Sequence, residues 1–224
     1  MSAASATVFI VDDEEAVADS IAMLLGSVGL STRLFPDPRA FLAHYQAGDA
    51  GCLVLDVRMP RMSGLELQQE LIRRHCTLPI IFITGHGDVP MAVEAMRAGA
   101  VDFLQKPFND EDLIRRVHKA LEIDAQERAL LQRREELGRR WAGLTAREQE
   151  VAQRIADGEA NKVVAADLGI SERTVEVHRA RILQKLEVRS LAQLVQVVLS
   201  LREARRGGLP MDGRDAGPGR SPPT

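Results

Sequence analysis

Residues Gly51, Cys52, Leu53, Val54 and Leu55 form an unbroken apolar run that ends in one carboxylate, Asp56, and then in a turn carrying Met59, Pro60, Met62 and Gly64. A run of this length, with no polar residue alternating through it, reads as a strand buried on both faces of a parallel sheet. The carboxylate therefore emerges at the carboxyl edge of the sheet, where open α/β folds place their ligands. Asp56 is the candidate reactive group.

Three further strand patterns end in chemistry of the same kind. Thr7 to Val11 ends in Asp12 and Asp13, Leu78 to Ile83 ends in Thr84 and Gly85, and Val101 to Gln105 ends in Lys106 and Pro107. Between them lie helical periodicities: Ala16 to Leu25, Pro38 to Gln46, Gly64 to His75, Val89 to Ala98, and a fifth from about Glu111. With Leu30 to Phe35 as another strand, residues 6–121 alternate strand and helix through five units, which predicts a parallel sheet covered on both faces. Asp88 is expected to cap the fourth helix, and Asn109 or Asp110 the fifth.

The chain of 224 residues is 45% hydrophobic, enough for two ordinary domains with their own cores. Its apolar runs fall short of the ~18 to 20 residues that span a bilayer, and the amino terminus lacks a charged segment followed by a hydrophobic one, so no membrane role and a cytoplasmic location are expected. The two cysteines, Cys52 and Cys76, have no metal-type spacing and read as reduced structural thiols. The net charge of −3 divides unevenly: residues 1–123 carry 11 Lys and Arg against 17 Asp and Glu, and residues 124–224 carry 18 against 15. An acidic first part suits a cation, and a mildly basic second part suits a polyanion.

From 122 to 140 the chain is rich in Leu, Ala, Glu, Gln and Arg and reads as a helical linker, with Leu130, Leu131 and Leu137 as its apolar points and a break at Gly138. Either a second copy pairs with it or it is a solvated connector. Residues 141–203 carry only helical signals. Thr145 with Glu148 is a capping box, Gly158 and Gly169 are stops, and Ser171 caps a helix through Thr174, Val175, His178, Ile182 and Leu186. The Gly-containing turn between two short helices is a helix-turn-helix signature. A fourth helix, Leu191 to Arg202, turns Leu194, Val195, Val198 and Leu199 to a partner, and residues 204–224 are too rich in Gly, Pro and charge to build a core.

At the strand ends, Asp13, Asp56 and the backbone carbonyl of Arg58 can supply oxygen ligands for Mg2+, which takes one or two carboxylates and fills its octahedron with water or phosphate oxygens. A carboxylate beside the ion can attack phosphorus and form an aspartyl-phosphate. Lys106 and Thr84 suit the charge neutralisation that phosphoryl transfer requires. Singly, Asp12 and Asp13 read as helix caps, Thr84 as a turn cap and Lys106 as a solvated strand end; four strand ends together read as a site.

Val11-Asp12-Asp13, Leu55-Asp56 with Met59-Pro60, Met62 and Gly64, Ile83-Thr84-Gly85 and Phe103 to Pro107 make residues 6–121 similar to the receiver domain of bacterial two-component response regulators. The resemblance implies a flavodoxin-like fold and phosphorylation of Asp56 by a sensor histidine kinase. Asp13 would hold Mg2+ with Asp12 behind it, Lys106 and Thr84 would read the phosphoryl group, Phe103 would be an aromatic switch, and Lys106-Pro107 a cis bond. Leu144-Thr145, Arg147-Glu148, Glu150-Val151, Asn161-Lys162, Ile170-Ser171, Thr174-Val175, His178 and Lys185-Leu186 resemble the all-α four-helix LuxR and NarL type of helix-turn-helix, most closely in FixJ-like regulators. This implies promoter DNA and RNA polymerase as partners and a homodimer on phosphorylation. Arg173, Thr174, Glu176, Val177, Arg179, Arg181 and Lys185 are the candidate DNA contacts; Glu176 is negative, but a carboxylate can accept from a cytosine amino group.

Other classes fit less well. An aspartyl-phosphate hydrolase needs a second acid/base carboxylate two residues past the nucleophile, where this chain has Arg58. A flavin protein needs a phosphate-cradling loop after the first strand, and a regulator without a phosphoryl signal has no use for the acidic strand ends. The expectation is a transcription regulator rather than an enzyme.

Overall fold

The computed structural model describes residues 6–85 and 89–206, which divide into two compact units, one ending at Ala129 and the other starting at Leu130. The first unit is built from β1 (Thr7–Val11), α1 (Glu15–Ser27), β2 (Ser31–Phe35), α2 (Pro38–His44), β3 (Gly51–Asp56), α3 (Gly64–Arg73), β4 (Ile80–Thr84), α4 (Val89–Arg97), β5 (Asp102–Gln105) and the first part of α5 (Asp110–Ala142). All strand pairings are parallel, in the order β2-β1-β3-β4-β5.

Every residue of β3 is buried, and its side chains alternate between two cores. Leu53 and Leu55 join Phe9, Phe41 and Phe82 on one face, while Cys52 and Val54 join Ile10, Ile81 and Leu113 on the other. This is why the run shows no polar alternation: both faces of the central strand are covered by helices. The edge strand β2 is mostly exposed or half-buried. Asp37 caps α2 through the Ala40 N–H at 2.9 Å, and Ser63 forms a capping box with Glu66 at the start of α3. Asn109, rather than Asp110, caps α5, accepting from the Glu111 N–H at 2.8 Å. Asp88, the expected cap of α4, lies outside the described residues.

The expected break at Gly138 does not occur, because α5 runs unbroken from Asp110 to Ala142. A helical glycine costs only about 1 kcal/mol relative to alanine. Here Glu136 and Arg140 pair across it at 2.9 Å, and Leu137 and Trp141 on either side pack into the second core. The expected linker from 122 is also not a separate connector. Asp124 is 2% exposed and accepts from the Gly51 N–H at 3.0 Å, so this turn of α5 belongs to the first unit.

The second unit completes its core with α6 (Ala146–Ala156), α7 (Asn161–Leu168), α8 (Glu172–Lys185) and α9 (Leu191–Arg206). The Thr145–Glu148 box, the left-handed stop at Gly169 and the Ser171 cap all form. Because α9 continues to Arg206, residues 204–206 are helical, and 207–224 lie outside the described residues. Leu194 and Val198 belong to the unit's own core with Val197 and Leu201; Leu199 is exposed. No helix among the described residues is long and apolar enough to cross a membrane.

Candidate phosphoacceptor site and nucleic-acid face

The strand order reverses between β1 and β3, and the crevice outside their carboxyl ends is where such sheets take ligands. Asp12 follows β1 and Asp56 ends β3, and both are buried, at 3% and 7% exposed. Between them stands Lys106, whose Nζ donates to Asp12 Oδ2 and to Asp56 Oδ1, each at 2.9 Å. The other oxygen of Asp56 accepts from the Arg58 backbone N–H at 2.6 Å. Asp12 also accepts from the Glu14 N–H at 2.9 Å, which turns the chain into α1. The nucleophile candidate is thus held at both oxygens.

Thr84 ends β4 fully buried, and its carbonyl accepts from the Lys106 N–H at 2.7 Å, so the two residues are tied through the backbone. The Lys106-Pro107 bond is cis. Phe103 is half-buried opposite Phe82 in the register and packs on the core shared with α2, α3 and α4. Gly64 is required where α3 begins, since a Cβ there would lie 2.2 Å from the Asp56 carbonyl oxygen.

Burial raises the Asp56 carboxyl above its ordinary value; the Lys106 ammonium and the Arg58 N–H pull it down without compensating, and Asp12 adds repulsion. Burial also disfavours the Lys106 ammonium, but its bonds to Asp56 and Asp12 outweigh that and raise it. Two buried carboxylates around one ammonium leave negative charge uncompensated. A hard dication fits that donor set. Asp13 is exposed and lines, with Asp12, Glu15 and Asp19, a cleft of about 410 Å³ that opens beside the pair. No cluster of three carboxylate, imidazole or thiol side chains is preassembled for a metal among the described residues. Mg2+ does not require one, because water and phosphate oxygens complete its shell.

The raised Asp56 carboxyl has a stability consequence. Its folded-state value lies above the unfolded value of about 3.9, so ionising it costs the folded state, and that cost is relieved as pH falls through the folded value. Without divalent cations, Asp56→Asn is expected to be more stable than the wild type at pH 7. The gap should narrow on acidification and become flat below about pH 3.9. Denaturant titrations in a chelator across this range check it; a gap that widens with acid means Lys106 stabilises the carboxylate more than burial penalises it.

The cysteines take no part in this site. Cys52 lies inside β3, where burial pushes its thiol up to about 12, and Cys76 is free and half-buried beside Tyr45.

On α8, Val175, Ile182 and Leu186 pack inward. The candidate contacts divide into two groups. Arg179 donates to Asn161 Oδ1 at 2.8 Å, Lys185 pairs with the buried Glu148 at 2.6 Å, and Thr174 is tied to Ser171 through its hydroxyl and N–H. These side chains hold the helix in place. Arg173, Glu176, Val177 and Arg181 are exposed and carry no hydrogen bond or ion pair among the described residues. Sequence reasoning missed Ala180 and Gln184, which are also exposed and lie with Arg173 and Val177 at i, i+4, i+7 and i+11, opposite the buried stripe. Helical phase about Val175 was the signal that locates them.

A flavodoxin-like sheet with a buried Asp–Lys–Asp cluster at its switch point, followed by a four-helix unit holding a helix-turn-helix, defines the class of receiver-linked regulators. Comparison with known families places residues 8–118 in the response regulator receiver domain and residues 142–198 in the bacterial regulatory proteins of the luxR family. The chain therefore belongs to the two-component response regulators with a LuxR-type DNA-binding domain, and is a transcription regulator rather than an enzyme. It is 47% identical over 195 residues to the transcriptional regulatory protein FixJ of Azorhizobium caulinodans, covering 87% of this chain and 92% of that one. It is 43% identical over 204 residues to the response regulator protein TodT of Pseudomonas putida, covering 91% and 90%. Among solved structures, the response regulator StyR matches with a TM-score of 0.80 and 46% identity, over 88% of this chain and 99% of that one.

Proposed function

We propose that a sensor histidine kinase transfers a phosphoryl group to Asp56, and that the phosphorylated chain pairs with a second copy and binds promoter DNA to regulate transcription, with RNA polymerase as the downstream partner. The observation that carries this reading is the placement of Asp56 and Asp12 on either side of Lys106 Nζ, at 2.9 Å from each, in a chain whose second unit is a helix-turn-helix. In the transfer, an Asp56 oxygen forms a bond to phosphorus as the bond from phosphorus to the donor breaks, and the donor leaves with the electron pair. Asp13, Asp56 and the Arg58 carbonyl would hold Mg2+, with Asp12 behind them. When bound, the ion supplies positive charge against the phosphoryl oxygens.

Lys106 exchanges its bond to Asp56 for one to a phosphoryl oxygen, and the Thr84 hydroxyl donates to another, since charge-assisted bonds to a phosphoryl dianion are stronger than those they replace. Movement of Thr84 makes room for the ring of Phe103, which has no hydroxyl to desolvate. The surface around Phe103 then changes shape and favours a second copy. Two helix-turn-helix units brought together read half-sites about one helical turn apart. Pairing raises the effective concentration of the second reading head, so affinity increases without new base contacts.

Sedimentation with and without beryllium fluoride, alongside binding to genomic DNA fragments, tests the reading. The expected result is a monomer that becomes a dimer and binds DNA more tightly with the mimic. A chain that stays monomeric while its DNA affinity rises would replace dimerisation by release of a masked DNA-binding unit.

A further inference from the structure

Glu176 is exposed on α8, at the flank of the face opposite the buried stripe, with Arg173 three residues before it and Arg179 three residues after, the spacing at which helical ion pairs form. Neither pairs with it: Arg179 is turned away to Asn161, and Glu176 carries no hydrogen bond or ion pair among the described residues. Beside it, Val177 is 44% exposed and Ala180 is exposed, so two small apolar side chains form the centre of the face. A free carboxylate brought against a polyanion is repelled unless it meets a donor. In the major groove the base-edge donors are the amino groups of cytosine and adenine, and the apolar feature is the thymine methyl.

Resting on the DNA-binding reading above, we propose that Glu176 is a base-reading residue that accepts from a cytosine amino group, and that Val177 and Ala180 lie against a neighbouring thymine methyl. The half-site then contains a cytosine next to thymine. Arg173 and Arg181, exposed on either side and unpaired among the described residues, hold the phosphates and fix the register. The smallness of Val177 and Ala180 lets the helix backbone approach the bases closely enough for the short Glu176 side chain to reach them. Arg179 and Lys185 are not needed as readers here, since each already bonds within its own unit, to Asn161 and to Glu148.

The experiment is selection of a random duplex library by the full chain treated with acetyl phosphate and magnesium, followed by sequencing. It compares the wild type with Glu176→Gln and Val177→Ala; both sites are exposed, so folding is not at stake. The wild type is expected to prefer cytosine at one half-site position by about ten-fold, the range for one good base contact. Glu176→Gln should lose that preference and shift it toward adenine, whose amino group and ring nitrogen an amide can bridge. Val177→Ala should weaken only the adjacent preference for thymine. If Glu176→Gln instead binds all sequences more tightly with the selected motif unchanged, the carboxylate is only a repelled bystander and the proposal is overturned. If the wild type retains no DNA, the DNA-binding reading falls and the proposal with it.

Discussion

Asp56→Asn is expected to take up no phosphoryl group from acetyl phosphate and magnesium, whereas the wild type should take up one per chain, as read by intact mass. An amide oxygen is too weak a nucleophile to form the acyl phosphate, and no neighbouring group replaces it. Asp12 is the other carboxylate beside Lys106, but it is 3% exposed and already bonded to Lys106 Nζ and the Glu14 N–H. The loss should therefore be complete. Full labelling of the variant would move the acceptor to another residue. Asp13→Ala keeps the nucleophile and tests the cation separately: its uptake should fall together with the dependence on magnesium.

Gly51→Ala is expected to destabilise the first unit by about 4 kcal/mol or more, which places it among the rare severe substitutions. Gly51 has a φ of 147°, and a Cβ there would lie 1.8 Å from the Thr7 carbonyl oxygen and 2.9 Å from the Thr7 nitrogen. Thr7 is its register partner on β1, so the obstacle is backbone inside a parallel ladder and cannot rotate away. Any shift that relieves it also pulls the Gly51 N–H from Asp124, leaving a buried carboxylate short of a donor. Gly48→Ala is the control, since Gly48 also has a positive φ, of 97°, but faces open space. It should cost only about 1 to 3 kcal/mol of backbone strain. Denaturant titration of the two variants reads the difference, and a loss under about 1 kcal/mol for Gly51→Ala would mean the strand entry relaxes freely.

Much of the candidate phosphoacceptor site was legible because its residues stand at strand ends, and a strand end is announced by the apolar run before it. Asp12, Asp56, Thr84 and Lys106 each follow such a run, and parallel pairing delivers all four to one edge. The candidate DNA-contacting helix, α8, was legible in its position but not in its side-chain pairings. Arg179 and Lys185 look in the sequence like free cations equivalent to Arg173 and Arg181. Their partners are 18 and 37 residues away, beyond the reach of any local pattern.

The same division runs through the whole chain. The caps and the stop at Gly169 were determined by the sequence alone, because each depends on residues within a turn or two of one another: Thr145 with Glu148, Ser171 with Thr174, Gly169 in the left-handed region. The burial of Cys52 to Leu55 was announced by an unbroken apolar run, though the partners that bury it are distant. Tertiary structure decided the rest. It carried α5 through Gly138, because Trp141 and Leu137 bury more than a glycine costs. It drew Asp124 into the first unit by offering the Gly51 N–H from 73 residues away, and it set Lys106 between Asp12 and Asp56 across 94 and 50. Those pairings are contacts between elements, and a one-dimensional pattern holds no term for the partner that the fold brings alongside.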